Sequence, residues 1–302
     1  MDTVTAAAAI ENDKVIGVKE KAAAYAELTK PRIAILLVLT AAAGFYLGTS
    51  GSFNLLLFSN FIIATTLLAF GVATLNQYWE RDLDGLMDRT ATRPLPTGRV
   101  TPNEALIFGI VQCVIAEAYL LLAVNPLTAL LGLVVIVGYV LVYTPLKTRT
   151  TASTAIGALP GALPPLMGWT AATGEITLVA WALFTIQFLW QFPHFMAIAW
   201  MYRADYAKAG ILMLPVVEPE GRLTGRQIVM FSIMLFPVAL APFFLNLSGL
   251  IYLIGAAVLG TWFVWVSVQA AIAKTDKKAR MVLLVSVIYL PVLFIFMVAD
   301  KR

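Results

Sequence analysis

Apolar residues fill nine stretches, at 32–48, 55–79, 103–123, 127–146, 154–172, 177–200, 227–245, 248–273 and 281–299. A helix needs about 20 mostly apolar residues to cross a bilayer, so the pattern predicts nine membrane-spanning helices. The polar connections between them alternate in charge. Lys14, Lys19, Lys21, Lys30 and Arg32 precede or open the first stretch, and Arg81, Arg89, Arg93 and Arg99 follow the second. Lys147 and Arg149 follow the fourth, Arg203, Lys208, Arg222 and Arg226 lie between the sixth and seventh, and Lys274, Lys277, Lys278 and Arg280 lie between the eighth and ninth. The connections near Ser50, Asn125, Gly174 and Ser248 carry no Lys or Arg, leaving only Lys301 and Arg302 on that side. Basic loops stay in the cytoplasm, so the pattern predicts a multi-pass protein with a cytoplasmic amino terminus. Residues 1–29 read as a cytoplasmic amino-terminal segment and 30–300 as a single transmembrane domain.

Composition agrees with that pattern. The chain of 302 residues is 60% hydrophobic and 13% charged, and a mean hydropathy of +0.86 excludes an ordinary soluble domain. The net charge of +4 is a topology signal, with no nucleic-acid partner implied. Residues 1–29 mix acids with lysines and lack the Arg-rich, acid-poor character of a mitochondrial transit peptide, and no apolar core with a cleavage site precedes Lys30. A bacterial cytoplasmic (inner) membrane is the expected location. The single cysteine, Cys113, excludes an internal disulfide and reads as a small buried hydrophobe.

Polar residues at the membrane edge are costly and tend to mark function, and here they form three clusters. In the first, Asn76, Glu80, Asp84 and Asp88 recur every four residues and stack along one helix face. Like charges at that spacing repel unless a cation neutralises them, and hard carboxylate oxygens suit Mg²⁺. An unbroken helix would spread Asn76 to Asp88 over ~18 Å, so Gly85 is expected to break it and let Asp88 turn in from the loop. Arg89 and Arg93 follow directly, as bidentate partners for phosphate oxygens. The second cluster holds Tyr143, whose hydroxyl is a partner for a leaving group, with Lys147 as a point-charge phosphate ligand or a topology marker. The third, Trp190-Gln191-Phe192-Pro193-His194 through Asp205 and Lys208, contains the sole histidine, a base, an iron ligand or a packing residue. Pro193 should kink that helix and free a carbonyl. The Gly- and Pro-rich run 157–168 reads as a pocket wall or a kinked packing helix. Gln112, Glu117 and Gln187 fall inside spans, where interhelical hydrogen bonding is the default.

Asn76, Glu80 and Asp84 match the first acidic motif of the UbiA-type superfamily of intramembrane prenyltransferases, which the chain resembles over about residues 25–300. Arg89-Thr90 with Arg93-Pro94-Leu95, Trp190-Gln191 with Pro193-His194-Phe195, Asp205-Tyr206 and Met213-Leu214-Pro215 resemble its heme-farnesylating branch. The resemblance implies an all-α fold of about nine helices around a central cavity. It further implies Mg²⁺ held by Glu80, Asp84, Asp88 and Asp205 with Asn76 assisting, and Arg93 and Lys147 against the departing diphosphate. Farnesyl diphosphate and protoheme (heme B) would be the substrates, and heme O with diphosphate the products. Arg89, Tyr143, His194, Asp205 and Lys208 would bind substrate, His194 holding the heme iron or orienting a propionate, with Tyr78, Trp79, Trp190 and Phe195 shielding an allylic cation. The surrounding partners would be the lipid bilayer and a downstream heme-modifying enzyme or terminal oxidase assembly. One departure from the superfamily pattern is Ala209, four residues after Asp205, where many relatives carry a second Asp. Competing readings are a relative with a quinone-precursor or other aromatic acceptor, a transporter and a noncatalytic heme-handling protein. A transporter is disfavoured because no internal repeat relates the halves and the acids gather at one face.

Overall fold

The computed structural model describes residues 17–302, so the expectations placed on Lys14 and on the acids before it lie outside the described residues. Among these residues the chain is helical throughout: α1 Val18–Leu28, α2 Pro31–Gly48, α3 Leu55–Asp84, α4 Pro102–Ala123 and α5 Pro126–Ile136. A π-helical turn, Val137–Tyr143, extends α5 into α6 Thr144–Leu146. Then come α7 Ser153–Gly161, α8 Leu163–Thr173, α9 Leu178–Met201, α10 Arg203–Lys208, α11 Leu214–Val217, α12 Arg222–Phe244, α13 Leu250–Ala273 and α14 Asp276–Ala299. Side-chain caps start several helices: Asn54 accepts from Leu57 N for α3, Asn125 from Thr128 N for α5 and Thr275 from Lys278 N for α14. Thr101 and Glu104 form a reciprocal capping box on α4, which satisfies two orphan donors at once.

Eight of the described helices are long and apolar enough to cross a membrane, counting Pro126–Leu146 as one. The remaining expected span, the fifth at 154–172, is split into α7 and α8 at Ala162. Proline at 164 and 165 supplies no N–H to the turn before it, so the carbonyl of Gly161 has no partner in its own helix. Gln187 Nε2 of α9 donates to that carbonyl at 2.9 Å, and Gln191 Nε2 donates to Ala158 O at 3.1 Å. The two glutamines make a broken helix tolerable inside a membrane, where every backbone group needs a partner. The broken span is therefore a packing element: α8 is buried from Leu163 to Ala171. Gly44 and Gly168 let α2 and α8 touch backbone to backbone; a Cβ on Gly168 would sit 2.0 Å from Ala41 O.

The connections sort to two ends, as expected. One end joins the α3–α4 loop, the α6–α7 turn, the α9–α12 connection and the start of α14, through Lys208–Asp88, Leu212 N to Lys147 O and Arg203–Asp276. The other joins the α2–α3 loop, the α12–α13 loop and the carboxy terminus, where Lys301 Nζ donates to Tyr46 O and Thr49 O and Gly249 N donates to Asp300 O. Large apolar side chains such as Leu56, Leu122, Trp181 and Ile272 remain exposed on the outer faces, where lipid takes the place of water. The chain is thus an integral multi-pass membrane protein.

Candidate functional site

The site grows from the last two turns of α3. Asn76, Glu80 and Asp84 all face inward and are buried, and α3 ends at Asp84 with Gly85 as its cap. From Asn76 to Asp84 the helix rises only ~12 Å, so three hard oxygen-bearing groups share one short ridge. Burial of two carboxylates demands partners, and each has found a cation, Glu80 from 67 residues away and Asp84 from the loop that follows α3. Lys147 Nζ donates to Glu80 Oε1 at 2.5 Å. Arg93 Nη1 donates to both Asp84 oxygens at 2.7–2.8 Å, and Thr90 Oγ1 donates to the Asp84 backbone oxygen at 2.8 Å. Asn76 Oδ1 accepts from Lys30 Nζ at 2.7 Å while its Nδ2 donates to Thr144 Oγ1 at 3.1 Å.

Lys30 is a site residue that the sequence did not reveal, since its place in the basic segment before the first span marked only topology. It sits between α1 and α2 with φ +47°, a left-handed conformation that costs a lysine side chain free energy and points to a local constraint. Burial, with Arg93 adding repulsion, pushes its ammonium down to about 7 even though Glu80 pulls the other way. For Lys147 burial works in the same direction, but Glu80 together with Tyr143 and Tyr139 outweighs it and holds the ammonium above the ordinary lysine range. The site therefore carries two anions and three cations in one buried patch, an excess of positive charge suited to an anionic ligand.

The π-helical turn sets the aromatic side of this patch. Seven residues wound with an extra residue per turn, a device found often at functional sites, aim Tyr139 and Tyr143 at the cations. Their rings meet edge to face at 4.9 Å, and Lys147 Nζ lies 4.5 Å from the Tyr143 ring centroid. Tyr143 packs on Gly157 of α7, where a Cβ would come within 2.5 Å of the ring. Tyr139 was not singled out by the sequence, because a tyrosine within an apolar run carries no signal of its own.

Asp88, Asp205, Lys208 and Arg89 form a second, more exposed cluster. Lys208 Nζ donates to Asp88 Oδ2 at 2.7 Å and lies 3.7 Å from Asp205 Oδ1. Arg89 N donates to Asp205 Oδ2 at 3.4 Å, and its guanidinium lies over the Tyr202 and Tyr206 rings at 4.8 and 5.7 Å. This corrects the expectation for Asp88: the helix does end at Gly85, but the following turn leaves the Asp88 side chain 81% exposed, paired with Lys208 instead of joining Glu80 and Asp84. Two of the expected aromatic shields are also corrected. Trp79 is 46% exposed on the outer face of α3, and Tyr78 packs with α1 and α4 under Arg81. At 100° per residue Tyr78 falls nearly opposite the acids on α3 and Trp79 about 100° round from them, so the inward ridge excludes both.

Among the described residues no group of three His, Cys, Asp or Glu side chains converges. An all-protein metal cage is absent there, but Mg²⁺ commonly takes one or two carboxylates and fills its shell with substrate phosphate and water. Glu80 and Asp84 fit that role by chemistry and burial. α1 roofs the patch: Gln77 Nε2 donates to Leu28 O at 2.9 Å, and Lys21–Glu104 and Arg99–Glu27 pin the helix to its neighbours at 2.7 and 2.8 Å. His194 lies on α9 with Nδ1 2.8 Å from Ser286 Oγ, and α9 continues through Pro193 to Met201.

The model of the UbiA prenyltransferase family matches residues 37–296. The chain is 47% identical over 286 residues to a protoheme IX farnesyltransferase of Solibacter usitatus, an alignment covering 92% of this chain and 98% of the relative. It is 44% identical to a protoheme IX farnesyltransferase of Koribacter versatilis, covering 92% and 93%. Among solved structures, one of a digeranylgeranylglyceryl phosphate synthase superposes with a TM-score of 0.78 at 16% identity, over 93% of this chain and 98% of the other. A UbiA homologue from Archaeoglobus fulgidus bound to DMAPP and Mg²⁺ superposes with a TM-score of 0.64 at 16% identity, over 90% and 98%.

Proposed function

This chain belongs to the UbiA prenyltransferase family, and from that premise we propose its reaction: it transfers the farnesyl group of farnesyl diphosphate to a vinyl group of protoheme, with hydration, giving heme O and diphosphate. The observation that carries the site assignment is the buried pairing of Glu80 with Lys147 and Asp84 with Arg93 on one face of α3. Such a patch pairs both of its carboxylates without ligand, yet is rich in donors for a diphosphate and in hard oxygens for Mg²⁺.

Binding of the diphosphate exchanges partners. Arg93, Lys147 and Lys30 turn donors toward phosphate oxygens, and Glu80 and Asp84, released from their lysine and arginine, become available to a cation. Mg²⁺ held there with the substrate phosphates would neutralise charge as the leaving group departs. The allylic carbon–oxygen bond breaks with its electron pair leaving on the diphosphate, where fixed Arg93 and Lys147 stabilise the developing charge. The terminal carbon of the porphyrin vinyl group bonds to the farnesyl carbon. Water then adds to the cation next to the macrocycle and loses a proton, leaving a hydroxyethylfarnesyl side chain. The Tyr139 and Tyr143 rings face the bound cations and extend a π surface along the path of the allylic cation. Asp88, Arg89, Asp205 and Lys208, bridging two loops over the same end, serve to admit the diphosphate and then cover it.

We assign the basic end of the bundle to the cytoplasm on the positive-inside rule and the enzyme to a bacterial inner membrane, with farnesyl diphosphate entering from the cytoplasmic side. The apolar product passes to a heme-modifying enzyme or an oxidase assembly in the same membrane. The deciding experiment incubates purified protein with protoheme and farnesyl diphosphate, with Mg²⁺ or with EDTA. A farnesylated, hydrated heme that vanishes with EDTA and in Asp84→Ala supports the reaction and its metal site. Diphosphate release with no heme product would move the acceptor to another ring.

A further inference from the structure

His194 is the single histidine of the chain, and its surroundings determine which of its nitrogens is free. Nδ1 lies 2.8 Å from Ser286 Oγ. That hydroxyl has one proton and donates it to Leu283 O at 2.7 Å, so toward the imidazole it can only accept. Nδ1 therefore carries the ring proton, and Nε2 is left with a bare lone pair. The ring is held in place on two further sides. Trp190 stacks on it at 4.7 Å and 23°, and Trp190 Nε1 donates to the backbone oxygen of the same Ser286 at 2.8 Å. Phe195 meets it edge-on at 5.4 Å.

Among the described residues Nε2 has no hydrogen-bond partner, and it is not among their occluded unpaired atoms, so it keeps some accessible surface. Its direction follows from the helix. Trp181, 50% exposed, marks the lipid face of α9, and thirteen residues at 100° each carry His194 about 140° round the axis from it. Gln187, on nearly the same face, donates to Gly161 O of α7, so this face looks into the bundle. His194 retains partial exposure although it sits on that inward face, as a residue lining interior space does. It lies seven residues, or ~10 Å, before the end of α9 on the side of the acidic patch.

A lone imidazole does not make a resident metal centre, and among the described residues no other metal-ligating cluster exists to complete one. A single neutral nitrogen donor in an aromatic wall matches a different case, a metal that arrives with four ligands of its own and lacks an axial one. We propose that His194 Nε2 ligates the iron of the porphyrin substrate, and that Ser286 is a positioning residue that fixes the imidazole tautomer and ring plane for this bond. Axial ligation sets the macrocycle perpendicular to the iron–nitrogen bond and restrains it at its centre, so that only its edge, where the vinyl groups are, has to meet the farnesyl carbon. The hydrogen bond from Nδ1 strengthens the ligand in the way outer partners of metal-bound histidines do. This inference rests on protoheme being the acceptor.

The test uses full-length protein in detergent with protoheme or with metal-free protoporphyrin. Ferrous wild type is expected to show an iron–imidazole stretch by resonance Raman. His194→Ala should lose it and bind protoheme at least about tenfold more weakly, with metal-free protoporphyrin bound as in wild type and added imidazole restoring the spectrum. Ser286→Ala should shift the stretch, and Ser286→Thr should return it. A His194→Ala protein with wild-type heme spectrum and affinity overturns the proposal. Turnover in the same preparations separates the two readings: farnesylated heme from wild type alongside an unchanged His194→Ala spectrum overturns the ligation and leaves the reaction standing. No farnesylated heme from wild type overturns the reaction and, with it, this inference.

Discussion

Lys147 and Glu80, 67 residues apart in sequence, meet at 2.5 Å where the end of the fourth span crosses the end of the second. Each is the counter-charge that allows the other to be buried, with side chains 15% and 8% exposed. Removing one partner strands the other: Lys147→Met should cost roughly 3–5 kcal/mol of stability, as for a broken buried pair. The double variant Glu80→Gln/Lys147→Met should recover most of that loss and none of the activity. Thermal unfolding in detergent alongside diphosphate release would check both halves, and a double variant as unstable as the single one would show that the pair is not coupled.

Arg93 grips both oxygens of Asp84 through one nitrogen, and among the described residues its other side-chain donors have no partner and can turn to a phosphate. Arg93→Lys keeps the charge but loses the planar fork. It should fold like wild type and lower kcat on the order of 10²-fold, the scale for losing one fixed donor to a developing charge. Single-turnover kinetics would show whether the loss is in the chemical step; an effect confined to KM would make Arg93 a ground-state binding residue only.

The legible and illegible parts of this protein divide by the range of the interaction that encodes them. The spans, their alternation and the acidic ridge of α3 were readable because apolar runs and a period of four are local patterns. The helix end at Gly85 was readable for the same reason. Asp88 was misplaced because the turn after Gly85 is set by its pairing with Lys208, 120 residues away, and nothing local announces that contact. Lys30 was hidden for a related reason: a lysine before a first span looks like a topology marker until the fold brings Asn76 to it. Gln187 and Gln191 acquire meaning only once α7 is seen to break beside them.

Gly168 allows α8 to touch α2 so closely that a methyl group would fall 2.0 Å from the Ala41 carbonyl oxygen. Backbone atoms cannot rotate away as a side chain can. Gly168→Ala should force the helices apart and destabilise by about 1–3 kcal/mol or more, with the Tm falling and the diphosphate site losing occupancy only as the protein unfolds. Gly98→Ala serves as a comparison of another kind, since no atom lies within 4 Å of its added Cβ and only its φ of +72° opposes the change. Gly168 lies inside α8, where alanine is the better helix former, so an undiminished Tm in Gly168→Ala would show that the α2–α8 contact is not held as tightly as this geometry requires.

Lys30 gives the site a pH dependence whose sign can be worked out. Its proton leaves near pH 7 in the folded protein, below the ordinary lysine value of 10.5, so between these values the unfolded chain binds one proton more than the folded one. Stability should therefore rise with pH across that window, the burden of the buried ammonium being fully present below about 7 and relieved above 10.5. Anion binding runs the other way. A diphosphate favours the charged form, so affinity should be level below pH 7 and fall above it, as each binding event has to take up a proton. Lys30→Arg remains charged throughout and should lose that fall, while Lys30→Met should bind weakly and without it. Titrating inorganic diphosphate at fixed Mg²⁺ into all three proteins cancels the ligand's own protonation, which is common to them. Parallel curves for wild type and Lys30→Arg would place the titrating group elsewhere.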